Sequence, residues 1–458
     1  MPVENAQTSE SLAAAIARAG SPIEFLRNSA TRAHTFPVAP EFTNWRSEQQ
    51  AWARTCALLD QSHHMTDLFI AGPDALRLLS ELGVNSFANF GVNKAKQFVA
   101  VNPDGYLIGD AILFHLEDEL FDLVGHPMVI DWVQFHLENG DHKATTERDD
   151  NSAVRSGPPT FYRYELQGPT ATALLEQATG GPLPAAKFFT MAEFTIAGHR
   201  VRALRHGMAG QPGFELFGPW AEGEAVLEAL LRAGKDHGLV RAGAKAYSTA
   251  NLESGWVPGP LPAIFSDDPT VQAYREWLPA DAIGSLGGSM DSADITDYYL
   301  TPYDIGYDRN VKFDHDFVGR EALERMAQEP PRTKVTLVWN RDDVTEAIGS
   351  MLQPGPGAKY FDLPKARYAL HQMDKVLRDG EQVGISLDCG YIANERAMVS
   401  LATVDRAHCE PGTEVTVLWG EEPNSAKPQV EEHTLWEIRA TVAPVPYVQF
   451  ARDSYRAK

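Results

Sequence analysis

Three short phrases hold most of the side chains in this chain that could do chemistry. The first, Asp60-Gln61-Ser62-His63-His64-Met65, puts two imidazoles and a carboxylate into a loop that enters a strand. Neighbouring side chains on an extended backbone point to opposite faces, so His63 and His64 cannot share one metal ion, and no third ligand stands at a matching spacing. The plain alternative is one buried and one exposed histidine. In the second phrase, Gly207-Met208-Ala209-Gly210-Gln211-Pro212-Gly213-Phe214-Glu215-Leu216, glycines precede a glutamate with apolar neighbours. It lacks both the Lys-Ser/Thr of a P-loop and the GxGxxG spacing of a dinucleotide loop, which argues against phosphate. An inward Glu215 needs donors, either an arginine or the paired N–H groups of an amidine-like ring edge, and the residues alone favour the arginine. The third phrase runs from Gly243 to Trp256 and sets Tyr247 on a helix of small residues, a turn and a half before Glu253. Its hydroxyl either faces a cavity as a proton donor or is a satisfied core group.

These phrases have to be positioned by regular elements. Thr66 to Ile70 reads as a strand, Gly72-Pro73-Asp74 as a turn, and Ala75 to Leu82 as a helix with Leu76, Leu78, Leu79 and Leu82 on its apolar side. The same arrangement returns at Tyr164 to Gln167, Gly168-Pro169 and the helical Thr170 to Ala178, which suggests an internal duplication. Gln97 to Val101 and Ala111 to His115 alternate around Pro103-Asp104-Gly105 as a hairpin. Ser9-Glu10-Ser11 caps a helix from Leu12 to Ala19 that stops at Gly20. From about residue 330 the texture becomes β-rich, with strands at Thr333 to Trp339, Val399 to Val404, Val415 to Leu418 and Leu435 to Val442. The expected organisation is an α+β fold in which residues 1–330 form two interleaved domains with ferredoxin-like units and residues 331–458 a small β-barrel. Leu278 to Met290 and Gln328 to Arg332 read as linkers. The acidic clusters Glu147-Arg148-Asp149-Asp150 and Gly420-Glu421-Glu422 read as solvated loops.

Composition bounds the partners. The 458 residues carry 62 acidic against 40 basic side chains, a net charge of −22, which argues against nucleic acid or an anionic membrane surface. The three cysteines, Cys56, Cys389 and Cys409, are too far apart in sequence for a CxxC site and suit a reducing cytosol. No stretch approaches the length of a membrane span and no secretory segment is visible, so a cytoplasmic protein is expected.

Together the three phrases resemble the tetrahydrofolate-dependent methyl and aminomethyl transferases of the glycine-cleavage T-protein fold. The segments that carry the resemblance are Asp60 to Met65, Gln167 to Pro169, Gly207 to Glu215 and Gly243 to Gly255, with Thr301 to Gly306 and Phe317 to Leu323 further on. Ala39 to Arg46, Arg205 to Gly210, Leu252 to Trp256 and Tyr274 to Pro279 are similar to one branch, the aryl-methyl-ether O-demethylases acting on syringate, 3-O-methylgallate and vanillate. The resemblance implies transfer of a methoxy methyl group to N5 of tetrahydrofolate, with no metal, flavin or nicotinamide. It makes Tyr247 the catalytic tyrosine with His63 or His64 beside it, and Glu215, after Gly213, the pterin anchor. It assigns Phe36, Gln61, Ser62, His126 and Trp256 to the aromatic substrate. Vanillate-type members have arginine where His126 stands, tyrosine where Phe36 stands and threonine where Ser62 stands, changes that would enlarge the space beside the ring. Gly109-Asp110 replaces the paired aspartates of glycine-cleavage members, which argues against an amine-carrying lipoyl protein as substrate. The alternatives are a folate-dependent demethylase of a small sulfur or amine compound and a non-catalytic folate-binding protein. The oligomeric state is not legible.

The chemistry such an enzyme must do is an in-line displacement with an aryl oxide as leaving group, which needs donors as charge develops. A tyrosine of ordinary pKa, about 10, is matched to a phenol of similar acidity.

Overall fold

The two Gly-Pro turns are built alike. In the computed structural model, which describes residues 10–31, 35–422 and 427–454, Gly72 has φ +134° and Gly168 φ +133°. A Cβ at either would lie 2.6 Å from the Lys143 carbonyl oxygen or 2.5 Å from that of Thr55, so both positions require glycine. One turn joins the strand Thr66–Ala71 to the helix Ala75–Leu82, the other Phe161–Gln167 to Ala171–Thr179. The first helix buries Ala75, Leu78, Leu79 and Leu82, whereas Leu76, expected on the apolar side, is 36% exposed. The buried set follows the i, i+3, i+4, i+7 stripe, and position 76 falls outside it.

Each unit belongs to its own sheet. The five-stranded sheet has the order Ala95–Val101, Leu107–Glu117, Leu120–Gly125, Thr66–Ala71, Thr145–Asp149. The six-stranded sheet has the order Leu239–Ala242, Cys56–Asp60, Phe161–Gln167, Gly213–Pro219, His199–Arg205, Met191–Ile196. All neighbours are antiparallel except Cys56–Asp60 with Leu239–Ala242. Phe114, Leu116 and Val124 of one sheet pack against Met191, Leu204 and Phe217 of the other, so the two faces share a core. Strands from Arg332–Trp339 to Trp436–Ala443 close a six-stranded barrel around Leu337, Val376, Val417, Trp419 and Ile438.

Several expectations need correction. The stretch Leu278 to Met290 is an ordered strap: Leu278, Ile283, Leu286 and Met290 are buried, and Leu286-Gly287 pairs with His371-Gln372. Its small residues allow close approach, since a Cβ on Gly288 would sit 2.1 Å from the Met373 carbonyl oxygen. Glu147 to Asp150 is largely an edge strand, with Arg148 bonded to Asp131 at 2.6 Å and to Asp150 at 2.7 Å. Glu421 is 2% exposed and accepts from Lys359 Nζ at 3.0 Å and from the Gly288 N–H at 2.9 Å. Arg148 thus neutralises its own cluster and Asp131, while the cation on Glu421 comes from a distant segment, which local charge counting does not register. The helix Leu12–Ala19 is capped by Ser11 and Gly20 as expected, while Ser9 lies outside the described residues. No helix among the described residues is long and apolar enough to cross a membrane.

Candidate active site

The strand Phe161–Gln167 alternates Arg163, Glu165 and Gln167 on one face, and all three are buried. Glu215 lies directly opposite Glu165 in the neighbouring strand, which puts two carboxyl groups side by side on the inner face of the six-stranded sheet. The pairing depends on Gly213, because a Cβ there would come within 2.2 Å of the Leu166 carbonyl oxygen. Arg163 reaches across to the other sheet. Its Nη1 donates to Glu215 Oε1 at 3.1 Å and its Nη2 to Asp122 at 2.7 Å and, more closely, to Asp67. Phe114 and Phe217 cover the guanidinium with ring centroids at 5.3 and 5.0 Å. Three carboxyl groups around one cation cannot all ionise out of water, and burial with the neighbouring Asp67 charge pushes Asp122 well above the usual carboxylate range. Burial likewise raises Glu215, against the pull of Arg163. The arginine that the residues around Glu215 favoured is therefore present, and it occupies one oxygen only: Oε2 accepts no hydrogen bond from the described residues.

Glu165 binds the Gln61 amide and accepts the Met208 N–H at 2.6 Å. The next N–H of the glycine-rich loop, on Ala209, goes to Gln167 Oε1 at 2.9 Å. These loop amides thus serve strand side chains and are not free to cradle a phosphate. Burial, with Glu215 beside it, pushes Glu165 up to about 8, so it is protonated at neutral pH. Gln61 Oε1 is buried without a partner. A protonated Glu165 with the Gln61 amide turned over would satisfy that oxygen and direct the Gln61 NH₂ elsewhere.

That direction is toward Tyr247, the last residue of the one-turn helix Ala244–Tyr247. Its hydroxyl lies 2.9 Å from His64 Nε2, with the rings at 5.0 Å, and Phe36 contacts the His64 ring edge-on at 6.1 Å. Burial and the charge of His63 hold His64 down at about 4, against the pull of the Gln61 backbone, so its ring is neutral. With the proton held on Tyr247, its hydroxyl donates and the neutral ring accepts through Nε2. Burial, then Glu165 and Glu215, raise the Tyr247 pKa above its ordinary value, with Gln61 acting in the opposite direction. The matched acidity expected from sequence is thus corrected: the proton stays on Tyr247, whose hydroxyl donates to His64 Nε2.

His63 turns away, with Nδ1 2.8 Å from Ser152 Oγ and its ring against Trp220. Ser62 closes a pair of hydrogen bonds with the Arg163 backbone at 2.9 and 3.3 Å. Trp256 gives its indole N–H to Asp110 at 3.0 Å, and Asp110 also accepts from Tyr307 at 2.8 Å and from Gln97. His126 caps the helix Pro127–Asn139 through Nδ1, 3.4 Å from the Met128 nitrogen. Among the described residues no group of three or more His, Cys, Asp or Glu is arranged to hold a metal. Arg163, Glu165, Asp67 and Asp122 escaped the sequence reading. Their one local signal was ionisable side chains at alternate positions of an otherwise apolar strand.

Comparison with known proteins places this geometry. Residues 17–258 match the family described as the GCVT N-terminal domain. The chain is 48% identical to a syringate O-demethylase of Sphingobium sp. (strain NBRC 103272 / SYK-6), over 98% of this chain and 99% of that one. It is 31% identical to a sesamin methylene transferase of Sinomonas sp. (strain No.22), over 84% of each chain. The crystal structure of glycine cleavage system aminomethyltransferase T from Bartonella henselae superposes with a TM-score of 0.61 at 19% identity, covering 91% of this chain and 95% of that one, which shows the fold.

Proposed function

We propose, because the chain belongs to the GCVT family, that it demethylates methoxylated aromatic acids of the syringate, 3-O-methylgallate and vanillate type, passing the methyl group to N5 of tetrahydrofolate and leaving a phenol. The observation that carries this reading is the Tyr247 hydroxyl on His64, set beside a buried carboxyl pair of which Glu215 keeps one oxygen unpartnered. That oxygen fits the N–H edge of a pterin, and the 48% relative is named for the same reaction on syringate. Tetrahydrofolate, when bound, supplies the nitrogen that accepts the methyl group. The chain's own residues supply the rest. Tyr247 moves its hydrogen bond from His64 to the ether oxygen as negative charge develops there and keeps its own proton, and the aryl oxide leaves as a phenol with the proton that N5 loses on methylation. Neutral His64 aims the hydroxyl, and Gln61 ties it to Glu165. Phe36, edge-on to His64, and Trp256 exclude water around the ring.

Glycine-cleavage chemistry on a protein-bound amine is disfavoured by Gly109 standing where paired aspartates would, with Asp110 already holding three donors. Incubation with tetrahydrofolate and a panel of methoxybenzoates tests the reading. Release of phenol with equimolar 5-methyltetrahydrofolate is the expected result, and no turnover of any methoxyaromatic overturns it. With His126, Phe36 and Ser62 enlarging the space beside the ring, syringate should compete at least evenly with vanillate. A kcat/KM ratio favouring vanillate tenfold would refute the enlarged pocket.

A further inference from the structure

The aromatic acids proposed as substrates carry a carboxylate, yet the site is rich in carboxyl groups and its two fully buried cations are spent. Arg163 is shared among Glu215, Asp67 and Asp122. Lys365 donates to Asp388, to Asn251 Oδ1 at 3.0 Å and to the Ser248 carbonyl at 2.8 Å. The last of these ties matters for placement, because Ser248 follows Tyr247 directly: the segment of the C-terminal region that carries Lys365 is pinned against the tyrosine's helix turn. Two residues on, Arg367 is exposed and makes no hydrogen bond, ion pair or ring contact among the described residues. It lines a cavity with Val257, Gly259, His371 and Cys389, the wall that begins just after Trp256. Its charge reaches both His64 and Tyr247 and lowers the pKa of each.

We infer that Arg367 is the anchor for the carboxylate of the aromatic substrate, its planar fork pairing with both oxygens while the ring spans the gap to Tyr247. The assignment rests on the proposed demethylase reading.

The test measures binding by tryptophan fluorescence at saturating 5-methyltetrahydrofolate, with syringate and its methyl ester as probes. Arg367→Gln should weaken syringate at least about tenfold, as a charge-assisted pair is lost, and leave the ester unchanged. Arg367→Lys, which keeps charge but not the fork, should fall between. Undiminished syringate affinity in Arg367→Gln, or an equal loss for acid and ester, overturns the assignment. So does a loss confined to tetrahydrofolate, which would place a glutamyl carboxylate of the folate on Arg367. Failure of the parent enzyme to demethylate any methoxybenzoate would instead bring down the function reading, and this inference with it.

Discussion

Glu215→Gln is the substitution whose consequence the geometry defines most closely. The wild-type carboxylate divides its oxygens, Oε1 receiving Arg163 Nη1 at 3.1 Å and Oε2 left for a ligand. An amide at this position has one acceptor and one donor. Arg163 can only donate, so the amide oxygen turns to it and the NH₂ faces the pterin N–H edge, donor against donor. The charge-assisted bond is then lost outright, a cost of about 1.5–3 kcal/mol, or roughly 10- to 150-fold in Kd for tetrahydrofolate. The fold should survive, because Arg163 retains Asp67 and Asp122. Isothermal titration of both proteins, paired with thermal melts, separates affinity from stability. Parent affinity should also fall as pH is lowered through the pKa of Glu215, which burial raises above the ordinary carboxylate value, because the anion is the binding form. The Gln variant should lack that acid limb. An unchanged Kd in Glu215→Gln with an intact melt would mean that the pterin binds elsewhere.

Three further outcomes follow from the site. Tyr247→Phe, which removes the hydroxyl 2.9 Å from His64, should leave ligand binding and melting intact while lowering kcat about 10²- to 10⁴-fold; a variant turning over like the parent would dismiss the tyrosine. Glu165 is neutral until about pH 8, so if its proton ties Gln61 to Tyr247, kcat should decline as pH rises through that value, and a Glu165→Gln profile that keeps the same alkaline limb would assign the limb to another group. Gly213→Ala drives a methyl group into the Leu166 carbonyl and should cost about 1–3 kcal/mol of stability, together with folate affinity through displaced Glu215; chemical denaturation with an unchanged midpoint would contradict the strand geometry.

What the sequence determined by itself was short-range. The Gly-Pro turns, the Ser11 and Gly20 caps, the hairpin around Gly105 and the barrel strands are all encoded within a few residues of themselves, by backbone conformations that few side chains tolerate or by alternation that one buried face imposes. The phrases containing His64, Glu215 and Tyr247 were legible for the same reason, each being a contiguous run. The tertiary structure decided which groups these residues answer to. Glu215 meets Glu165 through strand pairing across 50 residues of chain, Arg163 finds Asp67 and Asp122 on a different sheet, and Lys365 and Arg367 arrive from the C-terminal region. The protonation states were decided there too. A buried carboxyl, imidazole or phenol takes its pKa from the dielectric and charges around it, and nothing in Phe161 to Gln167 as a string says that Glu165 will be sealed from water beside another carboxylate, or that Tyr247 will hold its proton because it is buried, with both carboxyl groups near.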